Sequence, residues 1–341
     1  MDDWLTAAQN APAVLVTVAR VEGSVPREPG ARMLVEAGRF HGTIGGGHLE
    51  HRALEIARGM LASGAQAHIE RFPLGPGLGQ CCGGVAYLSF EFADVEQLAL
   101  LAERRNEDSW RVVAMGGSAA PRMLERVGGE AAHPTGLFDG HGHQLAGGAV
   151  PAFDRTLGTH VMEEGGRRWL VDAVLAPRAH LMLFGAGHVG AAIVRALAEL
   201  PCRVTWVDER DDLFPPAIPA NVTVEATDTP EALVENAPQG TSFLVMTHSH
   251  ALDLRLSHAI LSRPGSHWFG LIGSTTKRRQ FEHRLRERGV DACRLEAMVC
   301  PVGLPGIEGK APAVIAASVA AQLLTVWEAA ARPSDVSTEF T

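Results

Sequence analysis

Two glycine-rich segments in the first half of the chain carry residue types suited to holding a ligand. Gly45-Gly46-Gly47-His48-Leu49-Glu50 ends an apolar strand and opens a helical pattern. Three consecutive glycines have no side chains to pack, which points to close backbone approach by a ligand, with His48 and Glu50 as its polar flank. Further on, Gly75-Pro76-Gly77-Leu78-Gly79-Gln80-Cys81-Cys82-Gly83-Gly84 sets two adjacent cysteines in a glycine loop. Vicinal cysteines rarely bridge each other, and an accessible thiol among free backbone N–H groups has a depressed pKa. Cys81 and Cys82, with Gln80 beside them, are therefore candidates for nucleophilic sulfur or a metal contact. A soft thiolate suits molybdenum, copper(I) or a sulfur-transfer intermediate. The alternative is a tight loop with one buried, inert cysteine. No second cysteine pair supplies zinc-finger spacing, and neither a G-x-S-x-G elbow nor a P-loop is present.

A third glycine cluster lies in the second half. Leu181–Gly190 reads LMLFGAGHVG, so Gly185, Gly187 and Gly190 form a G-x-G-x-x-G directly after an apolar strand. The first glycine permits a tight turn, the second lets phosphates approach the backbone, and the third lets helix and strand pack closely. The helix opened by His188 offers free N–H groups and its positive dipole end to an anion. Asp208 ends the next strand, where an acid meets a ribose hydroxyl, and Arg210 stands ready for an additional phosphate. A Rossmann domain that keeps the fold without using the site is the alternative. In GLIGSTTKRR, Ser274 caps a helix and Lys277 and Arg278 fall in its first turn, where positive charge opposes the dipole and calls for a compensating anion; a merely solvated helix end competes with that reading. In THSHALD, His248 and His250 sit at the C-terminal lip of a parallel strand, placed for a metal or a phosphate unless one only caps the following helix.

The elements that must position these groups fall into two halves. Residues 1–172 read as a mixed α+β domain. It has strands at Ala13–Ala19, Arg32–Val35, Arg39–Ile44 and Val85–Phe92, and a helix at His48–Ala62 burying Leu49, Leu54, Ile56 and Met60. Glu107–Glu164 reads as a β-rich continuation and Val171–Arg178 as a hinge. Residues 179–332 alternate strand and helix at the spacing of a Rossmann-type, doubly wound parallel sheet. The strands fall at Leu181–Phe184, Arg203–Val207, Ser242–Met246 and Trp268–Ile272. The helices fall at His188–Leu200, Thr229–Glu235, Ala251–Leu261, Thr275–Arg288 and Ala311–Ala331. Residues 333–341 read as a disordered tail. The fold class expected is thus α/β.

The 341 residues carry a formal net charge of −9, with 46% hydrophobic and 20% charged residues. No dense basic block marks a nucleic-acid surface. The acidic start MDDWLTAAQN lacks the apolar core of a signal peptide, and the alanine-rich stretch Lys310–Glu328 reads as too short and weakly apolar to span a bilayer. Five scattered cysteines give no disulfide framework, so a reduced cytoplasmic compartment and no membrane partner are expected.

GSVPREPGARM (Gly23–Met33), GTIGGGHLE (Gly42–Glu50), LGQCCGG (Leu78–Gly84), FGAGHVG, THSHALD, GLIGSTTKR and CPVGLPGIEGKAP (Cys300–Pro312), in this order, resemble the XdhC/CoxI family, and within it the xanthine dehydrogenase branch. The resemblance runs from about residue 10 to residue 330. It implies a cytoplasmic chaperone of purine catabolism without its own turnover. Such a protein binds the molybdenum cofactor (molybdopterin), holds it while a cysteine desulfurase helps install the sulfido ligand, and delivers it to the molybdenum subunit of xanthine dehydrogenase. A homodimer is common for this architecture. Placing Cys81 or Cys82 on the molybdenum is an inference from their chemistry. The alternative is an NAD(P)-dependent oxidoreductase using the Rossmann half; NAD(P) or another nucleotide could also accompany the carrier function.

Overall fold

The computed structural model describes residues 3–7, 12–75, 83–116, 134–265 and 267–331, and it divides into two compact units, Met1–Ala176 and Pro177–Thr341. Gln80, Cys81, Cys82 and the tail 333–341 lie outside the described residues.

The first unit holds α1 (Asp3–Ala7), β1 (Val14–Glu22), β2 (Arg32–Val35), β3 (Phe40–Gly42), α2 (Gly47–Ser63), β4 (His68–Pro73), β5 (Val85–Phe92) and α3 (Val95–Glu103). It continues with β6 (Ser109–Met115), β7 (Thr135–Asp139), β8 (Gln144–Gly147), β9 (His160–Glu164) and β10 (Arg167–Val174). Two five-stranded antiparallel sheets result, ordered β3-β2-β1-β5-β4 and β8-β7-β6-β10-β9. β1 is buried on both faces. Val14, Val16 and Val18 meet Leu49, Ala53, Ala57 and Met60 of α2, so the helix buries two alanines where the larger Leu54 and Ile56 were expected. On the other face, Leu15 packs with Leu98 and Leu101 of α3, and Ala19 packs with Val113, Met115 and Leu170 of the second sheet. Helix α3 escaped the sequence reading, although Asp94 marks its start by accepting the amides of Glu96 and Gln97. The expected hinge is also revised, because Val171–Val174 belongs to β10, hydrogen-bonded in register with β6.

Charged side chains bridge the two sheets of this unit. Arg111 of β6 lies 2.9 Å from the Glu91 carboxylate of β5 and 3.1 Å from Asp172 of β10, and Arg32 of β2 grips Asp172 with both guanidinium ends. Arg111, Glu91 and Asp172 are all buried.

The second unit holds β11 (Ala179–Phe184), α4 (His188–Leu197), β12 (Cys202–Asp208), β13 (Val222–Ala226), α5 (Pro230–Asn236), β14 (Ser242–Val245), α6 (His250–Ser262), β15 (Phe269–Leu271), α7 (Thr275–Glu287), α8 (Ala292–Ala297) and α9 (Pro312–Ala331). Its strands are parallel in the order β13-β12-β11-β14-β15, and Val299 adds a bridge beside Gly270. Alternation along β11 sends Leu181 and Leu183 toward α4 and α9, and Met182 and Phe184 toward α5, α6 and α7. Both faces are covered, as a doubly wound sheet requires. β13 and α8 were not anticipated, and α4 stops at Leu197 with Ala196 exposed.

Among the described residues, α9 is long and apolar enough to cross a membrane by length and composition, with 20 residues at hydropathy 1.6. That revises the sequence reading of this stretch. Its buried Ala316, Val319 and Leu323 share a core cluster with Ile193 and Leu197 of α4, which gives the helix a packing role in the fold.

His180 of β11 is wedged between Thr241 and Thr205, 3.0 and 2.9 Å from its two ring nitrogens. Burial, with Arg203 nearby, lowers its pKa from 6.5 to about 4. A depressed folded value means the unfolded chain binds the proton more readily, so stability present above 6.5 is lost as pH falls toward about 4. His180→Asn is expected to flatten the acid limb of a denaturation-midpoint profile over that window. An unchanged limb would place the titration elsewhere.

Candidate functional site

Two glycine-bearing turns of the first unit and the stem of the cysteine loop meet at one end of its first sheet. All three glycines of the GGG turn have positive φ, 123° at Gly45, 73° at Gly46 and 63° at Gly47. The turn is folded by Glu50, whose carboxylate accepts from the Thr43 hydroxyl at 2.5 Å and from the amides of Ile44 and Gly46 at 3.1 and 3.2 Å. One carboxylate oxygen of Glu50 therefore serves the turn itself. Gly45 has a packing reason after all, since a Cβ there would meet Pro26 at 2.6 Å, whereas a Cβ at Gly46 would have nothing within 4 Å. The GSVPREP turn also touches the base of the cysteine loop. A Cβ at Gly84 would lie 2.4 Å from the Ser24 carbonyl, and the Leu74 amide donates to the Gly84 carbonyl at 2.8 Å. Pro26 and Ser24 thus tie the GGG turn and the stem of the cysteine loop to the same short segment.

From this turn α2 begins without a side-chain cap, at Gly46. Its exposed His48 opens a groove of about 630 Å³ whose other walls are His51, Arg52 and Glu55 of α2 and Glu70, Phe72 and Pro73 of β4.

In the second unit the three fingerprint glycines divide their work. A Cβ at Gly185 would strike the Met246 carbonyl at 2.4 Å, and one at Gly190 would strike the Gly185 carbonyl at 2.1 Å, whereas Gly187 has open space around it. Trp206 braces the turn from below by donating its indole N–H to the Gly185 carbonyl at 3.0 Å. Asp208 is already engaged. One carboxylate oxygen accepts the Ala186 amide at 2.7 Å, and both are held by the Arg210 guanidinium at 2.9 and 3.0 Å. Desolvation pushes the Asp208 pKa up, but Arg210 and the Ala186 amide outweigh it and hold the group below its usual value. The proposed ribose acceptor and the proposed phosphate cation are thus each other's partners. The adjoining crevice, lined by Val207, Asp208, Glu209, Thr247, His248 and Leu252 among others, measures about 10 Å³. That is room for roughly one water molecule.

The two remaining clusters change role. Ser274 caps α7 as expected, accepting the Lys277 amide at 3.2 Å. Lys277, however, is buried, with its ammonium 2.6 Å from Asp253 and 2.9 Å from the Ile272 carbonyl. Arg278 is spent on Glu282 at 2.7 Å and on the Cys300 carbonyl at 3.2 Å. The dipole-opposing charge is compensated from within the protein, so the expected anion site at Lys277 and Arg278 is replaced by structural pairs. His248 lies 3.4 Å from Glu209, and His250 is the exposed first residue of α6, which Ser249 caps instead. His188 likewise starts α4 exposed. Among the described residues no group of three or more His, Cys, Asp or Glu is arranged for a metal. Burial pushes the Cys202 thiol up to about 11 and raises that of Cys300 as well, which makes both poor nucleophiles.

A family model for the XdhC and CoxI family matches residues 6–73, and one for the XdhC Rossmann domain matches residues 181–323, together more than half of the chain. The chain belongs to the XdhC and CoxI family. Among its relatives is the uncharacterized protein YqeB of Escherichia coli, 26% identical over 93% of this chain, which spans only 44% of YqeB. A probable xanthine dehydrogenase subunit of Bacillus subtilis is 25% identical, with 92% of both chains covered. A xanthine dehydrogenase crystal structure from Bacillus halodurans shares the fold, with a TM-score of 0.70 over 98% of this chain and 97% of that one at 20% identity.

In this XdhC-family chain, sequence reasoning missed Pro26, Thr43, His51, Arg52 and Glu70, which shape the turn and the groove. The available signal was spacing: His48, His51, Arg52 and Glu55 fall at i, i+3, i+4 and i+7, one face of a helix.

Proposed function

We propose that this protein is an accessory factor for maturation of a xanthine dehydrogenase-type molybdoenzyme, and that it carries the molybdenum cofactor without turnover of its own. The observation that carries this reading is the convergence of the GSVPREP turn, the GGG turn and the stem of the cysteine loop at one end of a sheet, in a chain of this family. Glu50 fixes the GGG turn before any ligand arrives, so the turn is preorganised. The open face of Gly46 leaves the backbone approachable, which fits a phosphate-bearing pterin. The cofactor supplies a molybdenum centre whose terminal sulfido ligand the client needs. Residues at the turn hold it, and Cys81 or Cys82 contacts the metal or relays sulfur from a cysteine desulfurase. Assembly as a homodimer and delivery to the molybdenum subunit of the client belong to the same reading.

The second reading, an NAD(P)-dependent oxidoreductase, is favoured by the strand order and the open Gly187. Against it stands the Asp208–Arg210 pair, whose groups already hold each other.

Protein purified anaerobically from cells that make the cofactor should contain molybdenum and pterin near one-to-one. A Cys81→Ser/Cys82→Ser variant of unchanged circular dichroism should lose the molybdenum. Bound NAD(P) without pterin in the same sample would put the oxidoreductase reading first.

A further inference from the structure

Beside His48 of the GGG motif, the groove between α2 and β4 holds side chains that no sequence motif claimed. Its volume of about 630 Å³ suits a bicyclic ring with a short substituent. The carboxylates on its rim differ. Glu55 is taken, 2.7 Å from Arg52 and 3.5 Å from the His51 ring. Glu70 is more loosely engaged, with the His68 ring 3.9 Å away. Glu70 and Phe72 are two residues apart on β4, so both lie on the face that α2 covers. Phe72 is buried in the core beneath the groove, and the His48 and His51 rings stand 6.4 Å apart along its edge.

An available carboxylate beside imidazole rings recognises a particular heterocyclic edge. The N–H and exocyclic NH₂ of a 2-amino-4-oxopyrimidine present two parallel donors, matched to the two oxygens of a carboxylate as an arginine fork is. We propose that this groove takes the 2-amino-4-oxopyrimidine ring of a pterin. Glu70 accepts its paired donors, and His48 and His51 flank the bicycle. This rests on the reading of the chain as a cofactor carrier. Guanine presents the same edge, so the experiment separates the two sources.

The test titrates the full-length protein with neopterin phosphate, followed by pterin fluorescence, alongside GMP and lumazine, which has an oxo group in place of the 2-amino group. Saturable pterin binding is expected, with lumazine much weaker. Glu70→Gln is expected to weaken pterin binding by about ten- to a hundredfold, the worth of charge-assisted hydrogen bonds, with little effect on lumazine. Both Glu70 and His51 reach solvent, so Glu70→Gln and His51→Ala should fold, which circular dichroism verifies. Equal pterin affinity in wild type and Glu70→Gln, or no preference over lumazine, would overturn the proposal. Glu70-dependent binding tighter for GMP than for the pterin would overturn the pterin assignment. Molybdenum assayed on the same preparations separates the two claims. Metal retained equally by both proteins with equal pterin affinity rejects the groove and leaves the carrier reading standing. Glu70-dependent pterin binding without molybdenum does the reverse.

Discussion

Asp172→Ala is expected to lower the unfolding free energy of the first unit by about 3–5 kcal/mol, the cost of breaking a buried ion pair from one side. Asp172 is fully buried and receives Arg32 and Arg111 from two different sheets. Removing it leaves two guanidinium groups in the interior with the Glu91 carboxylate as their remaining acid, held by Arg111 at 2.9 Å. Replacing the whole cluster by apolar residues of similar volume should cost far less, because the desolvation of four charges disappears with their attraction. The pH dependence carries opposite signs within the cluster. Desolvation raises the Asp172 pKa, but Arg32 and Arg111 outweigh it and hold the group below its usual 3.8. Its contribution is therefore present above 3.8 and lost as pH falls through the folded value. Glu91 is pushed above its usual 4.5 by desolvation, which Arg111 only partly offsets, so it costs stability as pH rises from 4.5 through its folded value. Guanidinium denaturation of wild type, Asp172→Ala and Glu91→Gln across pH would resolve both signs. A loss below about 1 kcal/mol for Asp172→Ala would mean that water reaches the cluster.

The fold of the second unit was legible because each of its signals is local. An apolar strand, a glycine fingerprint and an amphipathic helix lie within a few residues of one another, and their alternation implies a parallel sheet. The edge strand β13 was lost because Val222–Ala226 (VTVEA) is short, largely exposed and alternates apolar with polar residues, without the continuous apolar run that marks its neighbours. The first unit was harder, since its pairing is antiparallel and non-local. β1 meets β5 across 63 or more residues, and no local periodicity encodes that distance. The same distinction governs the site. The GGG turn and the Rossmann turn are short motifs and could be read directly. That Glu50 would close the first turn, that Arg210 would occupy Asp208, and that Glu70 would line a groove with His48 depend on side chains arriving from neighbouring elements. Sequence spacing does not fix those directions.

Lys277 gives the clearest contrast between a motif and its structural use. Its position in the first turn of α7, beside Arg278, reads as an anion site, yet its ammonium is buried against Asp253. The other oxygen of Asp253 accepts the amide and hydroxyl of Thr247 at 3.0 and 2.7 Å, so the pair also anchors the turn that carries His248 and His250. Lys277→Ala is expected to cost about 3–5 kcal/mol of second-unit stability, because it strands a buried carboxylate. Asp253→Asn/Lys277→Met should recover most of that loss, since it removes both charges while roughly keeping volume. Phosphate affinity of the folded protein should not depend on Lys277, whose ammonium has its partners inside the fold. Denaturation of the three proteins, with phosphate titrations under folded conditions, separates the two roles. A large stability loss restored by the double variant confirms the structural pair. A stable Lys277→Ala protein with weakened phosphate binding would restore the anion-site reading and require Asp253 to release its lysine when ligand binds.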